Sequence, residues 1–229
     1  MKPETLNTLL AGHFVCQYAF PDAYEDLSDP GEPEEVDKWL QRIGRRLSRL
    51  GADGAFFAAP LQVHTNEQVN KVKADLARFR DVYGLLVETL NLVRLAKEGF
   101  RGVPGEYVQL ADILIKVNED TTLVSRLREL RIPGADSRLS NNELLRKMLE
   151  RLRSDGYLIV SNPSTETYQI TGKVDHLHAV MQYLVENVPE LTDNALADTD
   201  LAEENASDAQ SDLLRPPRSD LEADPGSFG

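Results

Sequence analysis

The chain lacks the features that would place it in several familiar classes. A single cysteine, Cys16, excludes an intramolecular disulfide and fits a reducing compartment. No run approaches the roughly 18 consecutive apolar residues that a membrane span requires, so no membrane contact is expected. The opening stretch carries Glu4 early and His13 within its apolar part, which makes a poor secretion signal; the expected location is cytoplasmic. No G-x-x-x-x-G-K-[ST] string is present to cradle a nucleotide. An overall basic excess, usual in a DNA-binding domain, is missing too: the formal net charge is -13. That average is uneven. Residues 190–229 hold eleven acidic side chains against two arginines, about -9, which leaves the preceding body at about -4 with local basic patches. The same tail has Pro216 and Pro217 together and no repeating apolar face, so a disordered acidic segment is expected at 190–229.

What is present is clearest over residues 141–171. Leu144, Leu145, Met148, Leu149 and Leu152 recur at helical spacing, with Arg146, Lys147, Glu150, Arg151 and Arg153 largely between them. Asn141 is a candidate cap for this helix and Gly156 its stop. Residues 157–160 and 167–171 can then pair across a Pro-containing turn. Helix, break and hairpin in that order form the back half of a winged helix. Upstream, Pro104 and Gly105 open the unit, 107–110 reads as a short strand, 111–117 as a helix, and 118–132 as a further helical stretch. Residues 174–188 return to helix, and the folded part is expected to end near Pro189.

The first part of the chain reads as a degenerate version of the same unit. Residues 5–19 form a helix candidate ended by Pro21, followed by an acidic loop through Pro30, Gly31 and Pro33. A helix over 34–50 would bury Val36, Leu40, Ile43, Leu47 and Leu50 and present Arg42, Arg45, Arg46 and Arg49 on its other side. A short hairpin is expected from 55–59 and 61–63. Between the two units, Val69, Val72, Leu76, Phe79, Tyr83, Leu86, Leu90 and Val93 alternate spacings of three and four. Their stripe is wider than a coiled-coil seam and predicts a long central helix over 68–97. The expected organisation is therefore 1-67, an N-terminal winged-helix-like domain; 68-98, the central helix; 99-189, a C-terminal winged-helix domain; and 190-229, the tail. The fold class is mainly α with small β wings.

This order of parts resembles the MksE/MukE family, small subunits of bacterial condensins. The strings that carry the likeness are R-L-S-R-L-G-A-D-G-A-F-F-A-A-P at 46–60, V-N-K-V-K-A-D-L-A-R-F-R-D-V-Y-G-L-L at 69–86, and L-L-R-K-M-L-E-R-L-R-S-D-G-Y-L-I-V with Y-Q-I-T at 144–171. The MksE type is the better fit, and the resemblance covers about residues 5–189. It implies a homodimeric, non-catalytic subunit that binds a kleisin and, through it, an SMC-like ATPase. Such a complex holds double-stranded DNA in chromosome organisation or plasmid defence, which implies association with the nucleoid. The alternative is a winged-helix transcriptional regulator.

Two basic groups are candidates for phosphate contact, which provides salt-dependent affinity without base preference. One is Arg42, Arg45, Arg46 and Arg49; the other is Arg146, Lys147, Arg151, Arg153 and Lys173 beyond the wing. A groove reader often presents Asn, Gln or Arg from its helix start. Here Asn142 and Glu143 stand there, and Glu150 interrupts the basic surface, which favours backbone contact over a sequence-specific regulator. Val69, Val72, Phe79 and Tyr83 are the candidates for a protein interface. No metal is expected: His176 and His178 are two apart on a helix, so their side chains diverge by about 200°, and no cysteine lies near. His13 and His64 are isolated. The glycine-rich string at 99–105 lacks the phosphate-binding Lys and Ser/Thr and reads as a hinge. No catalytic constellation and no cofactor site is visible.

Overall fold

The computed structural model describes residues 2–61, 79–130, 132–136 and 138–187. The expected tail, residues 68–78 of the central helix, and the interface candidates Val69 and Val72 lie outside them, as do the side chains of Phe79 and Tyr83. The chain divides into a compact unit, Met1–Ala179, and a second, Val180–Gly229, whose described part is helical. Among the described residues the fold is mainly helical with two small antiparallel sheets, a winged-helix-like architecture, as expected.

The N-terminal part differs from its expected layout. Helix α1 (Pro3–Leu10) is short, and residues 11–20 do not continue it. Pro21 does not end a helix but begins one, α2 (Pro21–Ser28), at the position where its missing N–H costs nothing. The expected helix over 34–50 is cut in two. Helix α3 (Glu32–Gln41) stops before Gly44, which takes a left-handed φ of 71°. Arg45–Arg49 then form strand β1, paired with β2 (Phe56–Pro60) from Arg45 opposite Pro60 to Arg49 opposite Phe56. The hairpin is therefore built one strand earlier than expected, and Ile43 is 49% exposed rather than buried. A carboxylate helps to fix the switch: Asp37 of α3 accepts the backbone N–H of Leu47 at 2.7 Å.

The C-terminal part follows its pattern closely. Helix α4 (Phe79–Ala96) leads to β3 (Tyr107–Gln109), α5 (Leu110–Glu119), α6 (Thr121–Glu129), α7 (Asn141–Ser154), β4 (Leu158–Asn162), β5 (Thr167–Ile170) and α8 (Lys173–Asn187). The cap of α7 is Ser140, not Asn141. Its hydroxyl accepts the Glu143 N–H while the Glu143 carboxylate accepts the Ser140 N–H, a reciprocal capping box. Leu144, Leu145, Met148, Leu149 and Leu152 are all buried, and α5, α6 and α7 pack on one another around them. Leu86, Leu92 and Val93 of α4 are buried as well, where that helix meets α5 and α6. The sheet runs β3-β5-β4, so the wing hairpin carries a third strand from upstream of the helices.

The two sheets belong to parts of the chain joined at residues 14–16. Val15 and Phe56 exchange two backbone hydrogen bonds of 2.8 Å. Cys16 lies buried against Gly172 and accepts that residue's N–H on its sulfur at 3.2 Å. A Cβ on Gly172 would stand 2.9 Å from that of Cys16 and 3.0 Å from that of Ala55. Beside this contact the Phe14 ring stacks on Phe57 at 4.9 Å and meets His176 at 5.0 Å.

A Gly172→Val substitution is expected to force these backbones apart and to lower unfolding stability by about 1–3 kcal/mol, read by denaturant titration. His176 adds a pH dependence. Burial, then the Lys173 ammonium, holds its imidazole below the ordinary 6.5. The unfolded chain therefore takes up this proton first. Stability from neutral His176 is complete above about pH 6.5 and is lost as the pH falls through the window beneath it. His176→Phe should flatten the slope of stability below about pH 6.5.

Candidate nucleic-acid interface

Helix α7 and the wing β4–β5 bring the second basic group together, and the same fold supplies its counter-charges. Arg146 projects from α7 to the wing turn, where its Nε and Nη2 donate to the two carboxylate oxygens of Glu166 at 2.7 and 2.8 Å. Glu166 holds this position with a left-handed φ of 47°, unusual for a residue with a side chain. The Arg146 hydrogen bonds keep its carboxyl below the ordinary range, and Glu166 in turn raises Arg146. Arg151 donates to Asp155 one turn on, and Arg153 to Glu150, each at 2.8 Å. Glu150 also accepts the hydroxyl of Tyr168, whose pKa burial pushes up to about 12.

Lys173 is placed differently from its neighbours. Its ammonium donates to the Asp155 carbonyl and lies 4.6 Å from the centre of the Tyr157 ring. Burial lowers its pKa. Lys147 remains exposed on α7 with no ion pair among the described residues. The recognition-type helix thus shows several cations in sequence but little uncompensated charge in space.

The first basic group has the opposite character. Arg42, Arg45, Arg46 and Arg49 do not share a helical face. Arg42 follows the end of α3, and β1 turns Arg45 and Arg49 to one side of the hairpin and Arg46 to the other. Arg49 is engaged, with Nη2 donating to the Tyr24 hydroxyl at 2.9 Å and the guanidinium 4.5 Å from the Phe56 ring centre. Arg42, Arg45 and Arg46 are exposed, with no ion pair among the described residues.

Sequence spacing could have found the Arg151–Asp155 and Glu150–Arg153 pairs, which sit four and three apart on a helix. It could not have found Glu166, twenty residues from Arg146 across the wing. The glycine-rich string after α4 is also filled from within. Glu106 accepts the backbone N–H groups of Arg101, Gly102 and Val103 at 3.1, 2.8 and 3.2 Å. No group of His, Cys, Asp and Glu able to hold a metal occurs among the described residues. No described helix is long and apolar enough to cross a membrane.

The family model described as condensin complex protein MksE matches residues 2–184. No match was found among the curated proteins.

If Arg146 reaches a phosphate, it must leave Glu166 to do so. Glu166→Gln should then raise duplex affinity at low salt and steepen the dependence of log affinity on log salt by about 0.9, measured by fluorescence anisotropy. An unchanged slope would remove Arg146 from the contact surface.

Proposed function

Because the chain belongs to the MksE family of condensin subunits, we propose that it binds a kleisin, pairs with a second copy of itself, and adds backbone contacts to DNA only within the assembled complex. Its own role is non-catalytic, and ATP hydrolysis belongs to the SMC-like partner reached through the kleisin. The organisation that goes with this reading is a winged-helix-like domain over 1-67, a central helix over 68-98, a second winged-helix domain over 99-189 and an acidic tail over 190-229. Val69, Val72, Phe79 and Tyr83 on the central helix are the proposed protein-interface residues. Nucleoid association follows from the same reading.

The observation that carries the DNA part is the neutralisation of α7. With Arg146, Arg151 and Arg153 each on a carboxylate, the helix offers little net charge to a groove. Its start carries Glu143, whose carboxylate is held by Ser140. A sequence-specific regulator needs strong contact from that end. A subunit whose few free cations act in sum with those of other subunits does not. Arg42, Arg45 and Arg46 are the stronger candidates for phosphate contact; Lys147 comes next, and Arg49 and Lys173 are the least available.

The expected behaviour is a dimer by light scattering that retains a co-expressed kleisin. Isolated, it should bind duplex DNA weakly at physiological salt. Reversal of Arg42, Arg45 and Arg46 to Glu should weaken duplex binding by the full complex and reduce its salt slope by about 0.9 per lost contact. Kleisin retention should be unchanged. A monomer that retains no kleisin but binds one short palindromic sequence tightly would instead establish the regulator.

A further inference from the structure

The exposed cations divide by whether a carboxylate meets them. Arg146, Arg151 and Arg153 are paired. Arg42, Arg45 and Arg46 stand exposed about the Gly44 turn, with no ion pair among the described residues. Their nearest acid in sequence is Asp37, and both of its oxygens are engaged. One accepts the Leu47 N–H and the other the Gln41 side chain, each at 2.7 Å. Ile43 lies among these arginines and is 49% exposed. The corner at 42–46 therefore joins three uncompensated charges to an uncovered apolar side chain.

The complementary pattern occurs within the same chain. Residues 193–212 carry seven carboxylates and no lysine or arginine, with Leu196 and Leu201 set among them. This segment lies outside the described residues, but chain length allows it to reach the corner. The His176 ring meets that of Phe57 at 5.6 Å, and Arg46 pairs with Ala59, two residues farther along β2. From His176 the remaining eleven residues of α8 carry the chain no more than about 17 Å, at about 1.5 Å per residue. Eleven residues more bring it to Asp198, and they span as much as about 40 Å when fully extended.

We infer that the chain's own acidic segment 193–212 is a ligand for the corner at Arg42, Arg45 and Arg46, where it competes with the phosphates of DNA. Its carboxylates meet the guanidinium groups, and a leucine covers Ile43. Because the segment is tethered, its effective concentration is on the order of millimolar, so pairs of modest strength suffice. Phosphates match the arginines as well as carboxylates do, but they offer nothing to Ile43. Stray duplex meeting the subunit alone is turned away, whereas DNA concentrated within the assembled complex displaces the segment. The inference rests on the reading above only in naming DNA as the competitor.

The test compares the full chain with a full-length variant in which every carboxylate of 193–212 becomes its amide. Backbone amide resonances of Ile43, Gly44 and Arg46 should differ between the two, since only the parent occupies the corner. A labelled random-sequence duplex should bind the amide variant about tenfold more tightly at low salt, the combined worth of three exposed pairs of ordinary strength. In a background of Arg42→Gln, Arg45→Gln and Arg46→Gln, the amide changes should give no such gain. An equal gain in that background would trace to net charge alone and overturn the proposal. Unchanged resonances at the corner overturn it as well, and the DNA reading is then decided by the arginine changes alone. Shifted resonances with no duplex affinity in either form keep the contact and remove DNA as its competitor. Shifts that disappear on dilution assign the segment to a second copy and overturn the tethered contact.

Discussion

The architecture depends on a place where a side chain is missing. Cys16, Ala55 and Gly172 come from three separate parts of the chain, and their backbones approach so closely that a single added carbon at residue 172 has no room. Around that contact the other joints fall into place. Val15 extends the β1–β2 ladder by a backbone bridge, Cys16 takes the Gly172 N–H on sulfur, and the rings of Phe14, Phe57 and His176 pack each against the other two. Because interiors pack at close to crystalline density, such a contact has few neighbouring arrangements of similar energy. It fixes where α8 begins and hence where Lys173 stands.

Electrostatics is organised by the same economy of space. Of the cations that the sequence strings along α7, Arg146, Arg151 and Arg153 find their counter-charges within a turn of the helix or across the wing, and Lys147 does not among the described residues. The more exposed cations of the first part are spread over a helix end and the two faces of a hairpin. Neither arrangement makes the dense field of a protein that grips DNA alone. Both suit a subunit of an assembly, where modest surfaces act together and where an acidic overall charge discourages promiscuous contact with nucleic acid.

Legibility followed periodicity. The apolar stripe of α7 is unbroken over about two and a half turns, the Gly156 stop is clean, and an apolar strand and an alternating one follow it; helix and wing could be read within a residue or two. Residues 34–50 misled because Val36, Leu40, Ile43, Leu47 and Leu50 keep helical spacing through a point where the chain changes its backbone state. Gly44 was the available signal, and the Asp37 bond to Leu47 that rewards the switch is invisible to a local window. Pro21 misled for a related reason, since proline marks the start of a helix as well as its end. In the candidate site, types and positions of the cations were plain, but their availability was not. Availability depends on partners such as Glu166 that only tertiary structure brings near.

The loop after α4 carries a mechanical consequence. Glycines there suggest a joint that bends freely. Glu106 occupies the concavity of that loop and holds three successive amides on one carboxylate. Bending the loop would strip charge-assisted hydrogen bonds from a single side chain all at once, so the glycines grant the shape and the glutamate removes the freedom. Lys97, just past the end of α4, adds a second tie to the carbonyl of Tyr107. The segment is thus a braced connection, tied at both ends, between the end of α4 and the first strand of the wing sheet.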